Sequence, residues 1–184
     1  MSDFYKLLSV PGKTLPSRRN KIAVIYAYGE LAIRKEYPNT ERATRELVNL
    51  TTLIKSGIRV PLPLYDYENA LLLTYEEGPT YENILRDWEA GRLSTELTAA
   101  ALRALCSWLF SFYKSTDRLK GDVKFHNFIY NPEGKCVGLD LEEPLTEGRP
   151  EKELGDLVAY AATIPPSLTP QKKQICLFLL SQCL

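Results

Sequence analysis

The hydrophobic period of the chain changes near Gly78, and that change limits the fold more than any other feature. Before Gly78 the apolar residues fall in short β-rich runs, 22–28 and 31–37 about Gly29-Glu30, and later 70–75. Such runs around a glycine predict a hairpin and a further strand. One helix interrupts them: Asn39 or Thr40 can cap it, Glu41 suits its first turn, and Gly57 lies just past an expected end near Ser56. Pro61 and Pro63 limit an extended entry to the next strand, with Tyr65-Asp66-Tyr67-Glu68-Asn69 expected as the turn before it. The order is strand, strand, helix, strand, strand.

Beyond Gly78 the period is helical. Helices are expected over 81–89, over about 95–113 with Ser94 as cap, over about 152–163 and over 171–183, the last two separated by Pro165-Pro166. Between them, 128–130 and 136–139 form a β-turn-β unit about Asn131-Pro132-Glu133-Gly134. Strands gathered in one half and helices in the other imply an α+β fold. At 184 residues and 45% apolar composition, a single domain with two small parts, 1–77 and 78–184, accommodates it.

Composition removes several functional classes. Lys+Arg and Asp+Glu are both 23, so no net field recommends nucleic acid or an anionic membrane as partner, and any anion site must be built locally. Cys106, Cys136, Cys176 and Cys183 lack zinc-site spacing and the density of a disulfide scaffold, which implies reduced thiols in a cytoplasmic protein. The opening MSDFYKLLSV carries no basic n-region followed by a signal-peptide core, and no apolar run approaches the roughly 20 residues of a membrane span.

The chemistry concentrates in Gly121-Asp122-Val123-Lys124-Phe125-His126-Asn127 and Gly138-Leu139-Asp140-Leu141-Glu142. An Asp, an Asn five residues on and a second Asp beyond a β-turn-β unit suit phosphoryl transfer. One carboxylate must orient an incoming hydroxyl and take its proton, while an amide oxygen and a second carboxylate hold Mg²⁺ against nucleotide phosphates. Asp122, Asn127 and Asp140 are the candidates in that order, and Lys124 is within reach of the transferred phosphate. On the first helix, Ala43, Leu47, Leu50, Leu53 and Ile54 form an apolar stripe that contains Glu46. A carboxylate on a buried stripe needs a partner, and a cation from the preceding strand would meet that need.

On these motifs, the chain from about Lys21 to Leu157 resembles the protein-kinase-like superfamily. It is nearest to the small atypical members: RIO-type kinases, the minimal kinase of the KEOPS tRNA-modification complex, lipopolysaccharide core kinases and aminoglycoside phosphotransferases. The resemblance implies a two-lobed α+β fold, with a β-rich N-lobe, a mainly helical, truncated C-lobe and Mg·ATP between them. Leu31-Ala32-Ile33-Arg34-Lys35 resembles the strand carrying the phosphate-binding lysine, and Arg45-Glu46-Leu47 the helix supplying its partner. Leu72-Leu73-Thr74-Tyr75-Glu76-Glu77-Gly78 resembles the adenine-binding hinge, which assigns Thr74, Tyr75, Glu76 and Glu77 to the nucleotide. Gly155-Asp156-Leu157 resembles the segment whose Asp steadies the catalytic loop. Alternation leaves two strand cations: Arg34 faces the phosphates if Ala32 lies over adenine, and Lys35 does if Ile33 lies there. Lys35 is favoured, because its face carries Leu31 and Ile33.

The chain departs from the superfamily where a glycine-rich phosphate loop would stand, with Gly29 alone in the first turn, and where the usual His before Gly-Asp is Lys120. Asp140 is followed by Leu141-Glu142, as in small-molecule phosphotransferases, not by Phe-Gly. The expected activity is transfer of the ATP γ-phosphate to a hydroxyl acceptor, a protein Ser/Thr or a small molecule, with slow ATPase activity. The alternative is a pseudokinase that binds nucleotide or a protein partner as a scaffold. Gly12-Lys13-Thr14 lacks the earlier glycine of a phosphate loop, Leu7 standing there, and reads as loop. His126 reads as a packed or hydrogen-bonded loop residue, Trp88 and Trp108 as core, and Cys176 with Cys183 as core or a partner-facing stripe.

Overall fold

A computed structural model describes residues 12–27, 29–163 and 169–181. It is an α+β structure whose five-stranded antiparallel sheet runs in the order β1-β2-β3-β5-β4. The strands are β1 (Thr14–Leu15), β2 (Lys21–Ala27), β3 (Glu30–Glu36), β4 (Pro63–Tyr67) and β5 (Ala70–Thr74). Helix α1 (Thr40–Lys55) lies between β3 and β4, capped by the Asn39 side chain, which accepts from Arg42 N. Ala43, Glu46, Leu50 and Leu53 are its buried residues, so Glu46 does lie on the inward stripe.

Two sheet features differ from expectation. Strand β1 adds an edge by pairing Thr14 and Leu15 with Ala23 and Ile22, just after the Lys13 loop; Leu7 lies outside the described residues, as do Tyr28, Pro165, Pro166 and Cys183. The expected five-residue turn at 65–69 shrinks to Glu68-Asn69, because Tyr65, Asp66 and Tyr67 continue β4 against Leu72, Leu71 and Ala70. An edge strand tolerates Pro63, since the N–H that proline lacks is not needed on the open side. Asn69 closes the turn instead, donating from Nδ2 to Tyr37 O at 2.8 Å.

The remaining elements are α2 (Tyr81–Glu89), α3 (Thr95–Thr116), β6 (Phe128–Tyr130), β7 (Cys136–Gly138), α4 (Pro150–Thr163) and α5 (Pro170–Ser181). Helix α3 runs one turn beyond the expected end and stops at Asp117, whose φ of 51° is left-handed. Its inward face, with Leu102, Leu105, Leu109 and Phe112 almost wholly buried, is the centre of the core. Trp108 stacks on Phe112 with ring centroids 5.3 Å apart and meets Phe128 edge-on. Trp88 packs only partly against this core and donates to Thr95 Oγ1. Cys106 and Cys136 are buried thiols. Among the described residues no helix is long and apolar enough to cross a membrane.

Arg59, in the connection from α1 to β4, ties the sheet to this core: its carbonyl accepts from Trp108 Nε1 at 2.7 Å and from Gly138 N at 3.1 Å. Gly138 is there because nothing larger fits; a Cβ would sit 2.2 Å from the Trp108 ring. That ring is wedged between Phe112 and Phe128 and cannot yield cheaply. Gly138→Ala should therefore destabilise the chain by about 3 kcal/mol in chemical denaturation. A loss below about 0.5 kcal/mol, the level of an ordinary surface change, would show that the ring is free to move.

Candidate active site

Lys35 is the pivot of the site. Its ammonium donates to Glu46 Oε2 and to Asp140 Oδ1, both at 2.7 Å, and lies 3.9 Å from Glu142 Oε2. The β3–β5 register, with Lys35 opposite Leu71, turns this side chain inward and leaves it 6% exposed. Arg34 points the other way, 56% exposed and paired with Glu36. Burial alone would push the Lys35 ammonium down, but Glu46 and Asp140 hold it above its ordinary value. Glu46 is fully used: Oε2 also accepts from the Tyr37 hydroxyl at 2.7 Å, and Oε1 accepts from Leu141 N at 3.3 Å. Burial, with Glu46 beside it, raises Tyr37 so that it stays a protonated donor.

Asp140 follows β7 with a φ of 55°, in the left-handed region that an aspartate enters at a cost of about 1–3 kcal/mol. The turn aims its carboxylate at Lys35 while its carbonyl accepts from Lys120 Nζ at 3.2 Å. Burial would raise this carboxyl, and Lys35, with Lys120 behind it, holds it below its ordinary value. The segment beyond is clamped from two sides. Glu142 accepts from Asn20 Nδ2 at 2.7 Å and from Arg42 at 3.2 Å, and Asn49 Nδ2 donates to Leu141 O at 2.8 Å. Among the described residues, Glu46, Asp140 and Glu142 are the carboxylates whose oxygens converge within 4.8 Å. The Lys35 ammonium supplies positive charge among them.

Asp122 occupies a second centre. Oδ1 pairs with Lys124 Nζ at 2.8 Å, and Asn127 Nδ2 donates both to Asp122 Oδ2 and to its carbonyl at 3.0 Å. Burial opposes ionisation, but Lys124, Asn127 and Lys120 hold the carboxyl below its ordinary value. The two centres are joined by Lys120, whose buried Nζ donates to Asp122 O at 3.1 Å as well as to Asp140 O. Burial pushes Lys120 below its ordinary value, and its third side lies over the Phe128 ring, 5.5 Å from the centroid. Asn127 is tied directly to Asp122, and it meets the Asp140 segment through its backbone, Leu139 N donating to Asn127 O at 2.8 Å.

The loop is steadied by Glu153 and not by the expected Asp156. Glu153 accepts from Lys120 N at 3.2 Å, from Tyr113 Oη at 2.8 Å and from Gly121 N. Helix α4 starts at Pro150 and buries Glu153, Leu154, Leu157 and Ala161, a spacing that leaves Asp156 on the solvent side. In the 74–77 segment, Thr74 Oγ1 accepts from Leu62 N and donates to Glu76 Oε1 at 2.8 Å. Tyr75 and Glu76 are half-buried, Glu77 is exposed, and burial raises the Glu76 carboxyl. His126 is hydrogen-bonded as expected, with Nδ1 3.2 Å from Tyr160 Oη.

The expected site residues thus fall into three groups: Lys35, Glu46 and Asp140; Asp122, Lys124 and Asn127; and the 74–77 segment. Tyr37, Glu142, Glu153 and the bridging role of Lys120 escaped the sequence reading. Lys120 and Glu142 had been visible only as departures from a motif. No protein-family model matches this chain, and no curated protein matches it in sequence.

Proposed function

We propose that this chain is a small, atypical, two-lobed kinase-like phosphotransferase that moves the γ-phosphate of Mg·ATP to a hydroxyl acceptor. The observation that carries the reading is the buried Lys35 ammonium held between Glu46 and Asp140, joined through Lys120 to Asp122 and Asn127. A stable fold gains little from burying so many charges and their partners, whereas a site that must receive a polyphosphate and its cation needs them preorganised. The donor set fits Mg²⁺, which takes hard oxygen ligands. Asp140 offers a carboxylate that is 37% exposed, and Asn127, its Nδ2 committed to Asp122, offers Oδ1.

Bound there, Mg·ATP supplies an electrophilic phosphorus: a bond to the acceptor oxygen forms as the bond to the bridging oxygen breaks, and ADP leaves with that electron pair. The chain's residues do the rest. Glu46, itself held by Tyr37, fixes Lys35, whose ammonium would meet the phosphate oxygens of a bound nucleotide. Thr74–Glu77 would line the adenine side. Asp122, held ionised by its neighbours, orients the acceptor hydroxyl and receives its proton, and Lys124 beside it attracts the transferred phosphoryl group.

Asp140→Ala tests this reading. Consumption of γ-labelled ATP in Mg²⁺, measured as phosphate release or transfer, should fall by at least about a hundredfold, because the change removes a metal carboxylate and leaves Lys35 one counter-ion short. Turnover at wild-type level in this variant would remove Asp140 from the metal site.

A further inference from the structure

The turn between β1 and β2, Pro16-Ser17-Arg18-Arg19-Asn20, belongs to the edge of the sheet and is nevertheless fastened to the segment after Asp140. Ser17 Oγ accepts from Asn20 N at 3.1 Å, which closes the turn on itself. Asn20 is its buried end and donates from Nδ2 to Glu142 Oε2 at 2.7 Å; that same oxygen lies 3.9 Å from the Lys35 ammonium. Arg19 pairs with Glu143, which Arg42 also approaches at 3.8 Å. The other arginine is left over. Arg18 is exposed and forms no ion pair among the described residues. The turn has no glycine to let backbone N–H groups approach a phosphate closely, so what it offers an anion is a guanidinium fork.

The anchor sets where that fork can go. Arg18 is two residues from Asn20, a span of at most about 7 Å, and its long side chain extends the reach beyond that. Tyr160 gives the direction. Its hydroxyl lies 3.2 Å from His126 Nδ1, in the loop after Asp122; burial and Glu82 raise it, Asp122 adds to them, and the Arg18 charge opposes them. An arginine rooted beside the Lys35 cluster and felt at Tyr160 spans the gap between the two centres of the site. We propose that Arg18 is a further catalytic residue, whose guanidinium donates to the oxygens of the phosphoryl group being transferred and to the bridging oxygen that takes the electron pair of the breaking bond. It gives up no proton, since arginine stays charged throughout. This role rests on the phosphotransferase reading; the anchoring of the turn does not.

Arg18→Ala in the full chain tests it, and because the side chain is exposed the change leaves the packing intact. Consumption of γ-labelled ATP in Mg²⁺, as phosphate release or transfer, should fall by about a hundredfold or more while Mg·ATP affinity stays within about threefold. Guanidinium ion, added far below denaturing concentrations, should restore part of the loss, which it could not do for a turn that only shaped the cleft. Binding of Mg·ADP with aluminium fluoride, a mimic of the phosphoryl group in transfer, should weaken at least about tenfold in the variant, with Mg·ADP alone unaffected. Turnover within about twofold of wild type, a loss carried by Mg·ATP affinity, or a loss with neither rescue nor a weaker fluoride complex overturns the role. A wild-type chain that consumes no ATP sinks the phosphotransferase reading and Arg18 with it, whereas an active wild type with an equally active variant sinks Arg18 alone.

Discussion

Lys35→Met should lower Mg·ATP affinity and turnover together, each by about a hundredfold or more, while Arg34→Met leaves both within about twofold. The difference lies in what each cation holds. Lys35 is the ammonium shared by Glu46 and Asp140, and methionine fills its volume but leaves Glu46 buried with Tyr37 and Leu141 N as its donors. Breaking a buried pair from one side costs about 3–5 kcal/mol, so the variant should also melt earlier, and affinity must be measured well below its transition. Arg34 is exposed and paired with Glu36 across solvent, a contact worth about 0–1 kcal/mol. If Arg34→Met proved the severe change, β3 would be shifted by one residue against β5, and every inward side chain of the strand would be misassigned.

Asp122→Ala should behave differently, reducing turnover by about a thousandfold with Mg·ATP affinity nearly unchanged. Asn127 remains anchored in this variant, because its Nδ2 also donates to the Asp122 carbonyl, which alanine keeps. Lys120 likewise holds that carbonyl and the one at Asp140, so the loop retains its shape. What goes is the carboxylate proposed to orient the hydroxyl, and with it the partner of Lys124. Equal losses in binding and turnover would mean that Asp122 supports the nucleotide and not the acceptor.

Residues whose role follows from periodicity were legible in the sequence. Glu46 announced itself as a charge on the apolar stripe of α1, and a charge there requires a partner from the neighbouring strand. Alternation leaves Arg34 and Lys35 as alternatives, with Lys35 favoured, because it fixes which residues share a face and not which face looks inward; pairing with β5 sets Lys35 opposite the buried Leu71. The Asp156 expectation failed for a related reason. A short helical motif does not fix the helix's rotation, and the burial of Leu154, Leu157 and Ala161 turns Glu153 inward instead. Lys120 showed only as a departure from a motif and Tyr37 carried no pattern, since each is placed by a partner that folding brings to it: the Asp140 carbonyl for one, the Glu46 carboxylate for the other. β4 was cut short in the reading because prolines and alternating tyrosines look like a turn until β5 is there to pair with them.

The central claim is that Lys35, Glu46 and Asp140, with Asp122 and Asn127, form a site for Mg·ATP. Calorimetric titration of the full chain with ATP, once in excess Mg²⁺ and once in chelator, tests it most directly. Saturable one-to-one binding in Mg²⁺ that weakens at least about tenfold in chelator is the expected result, since a polyphosphate facing Asp140 and Asn127 needs a cation between. No binding in either condition, or equal affinity in both, would contradict it.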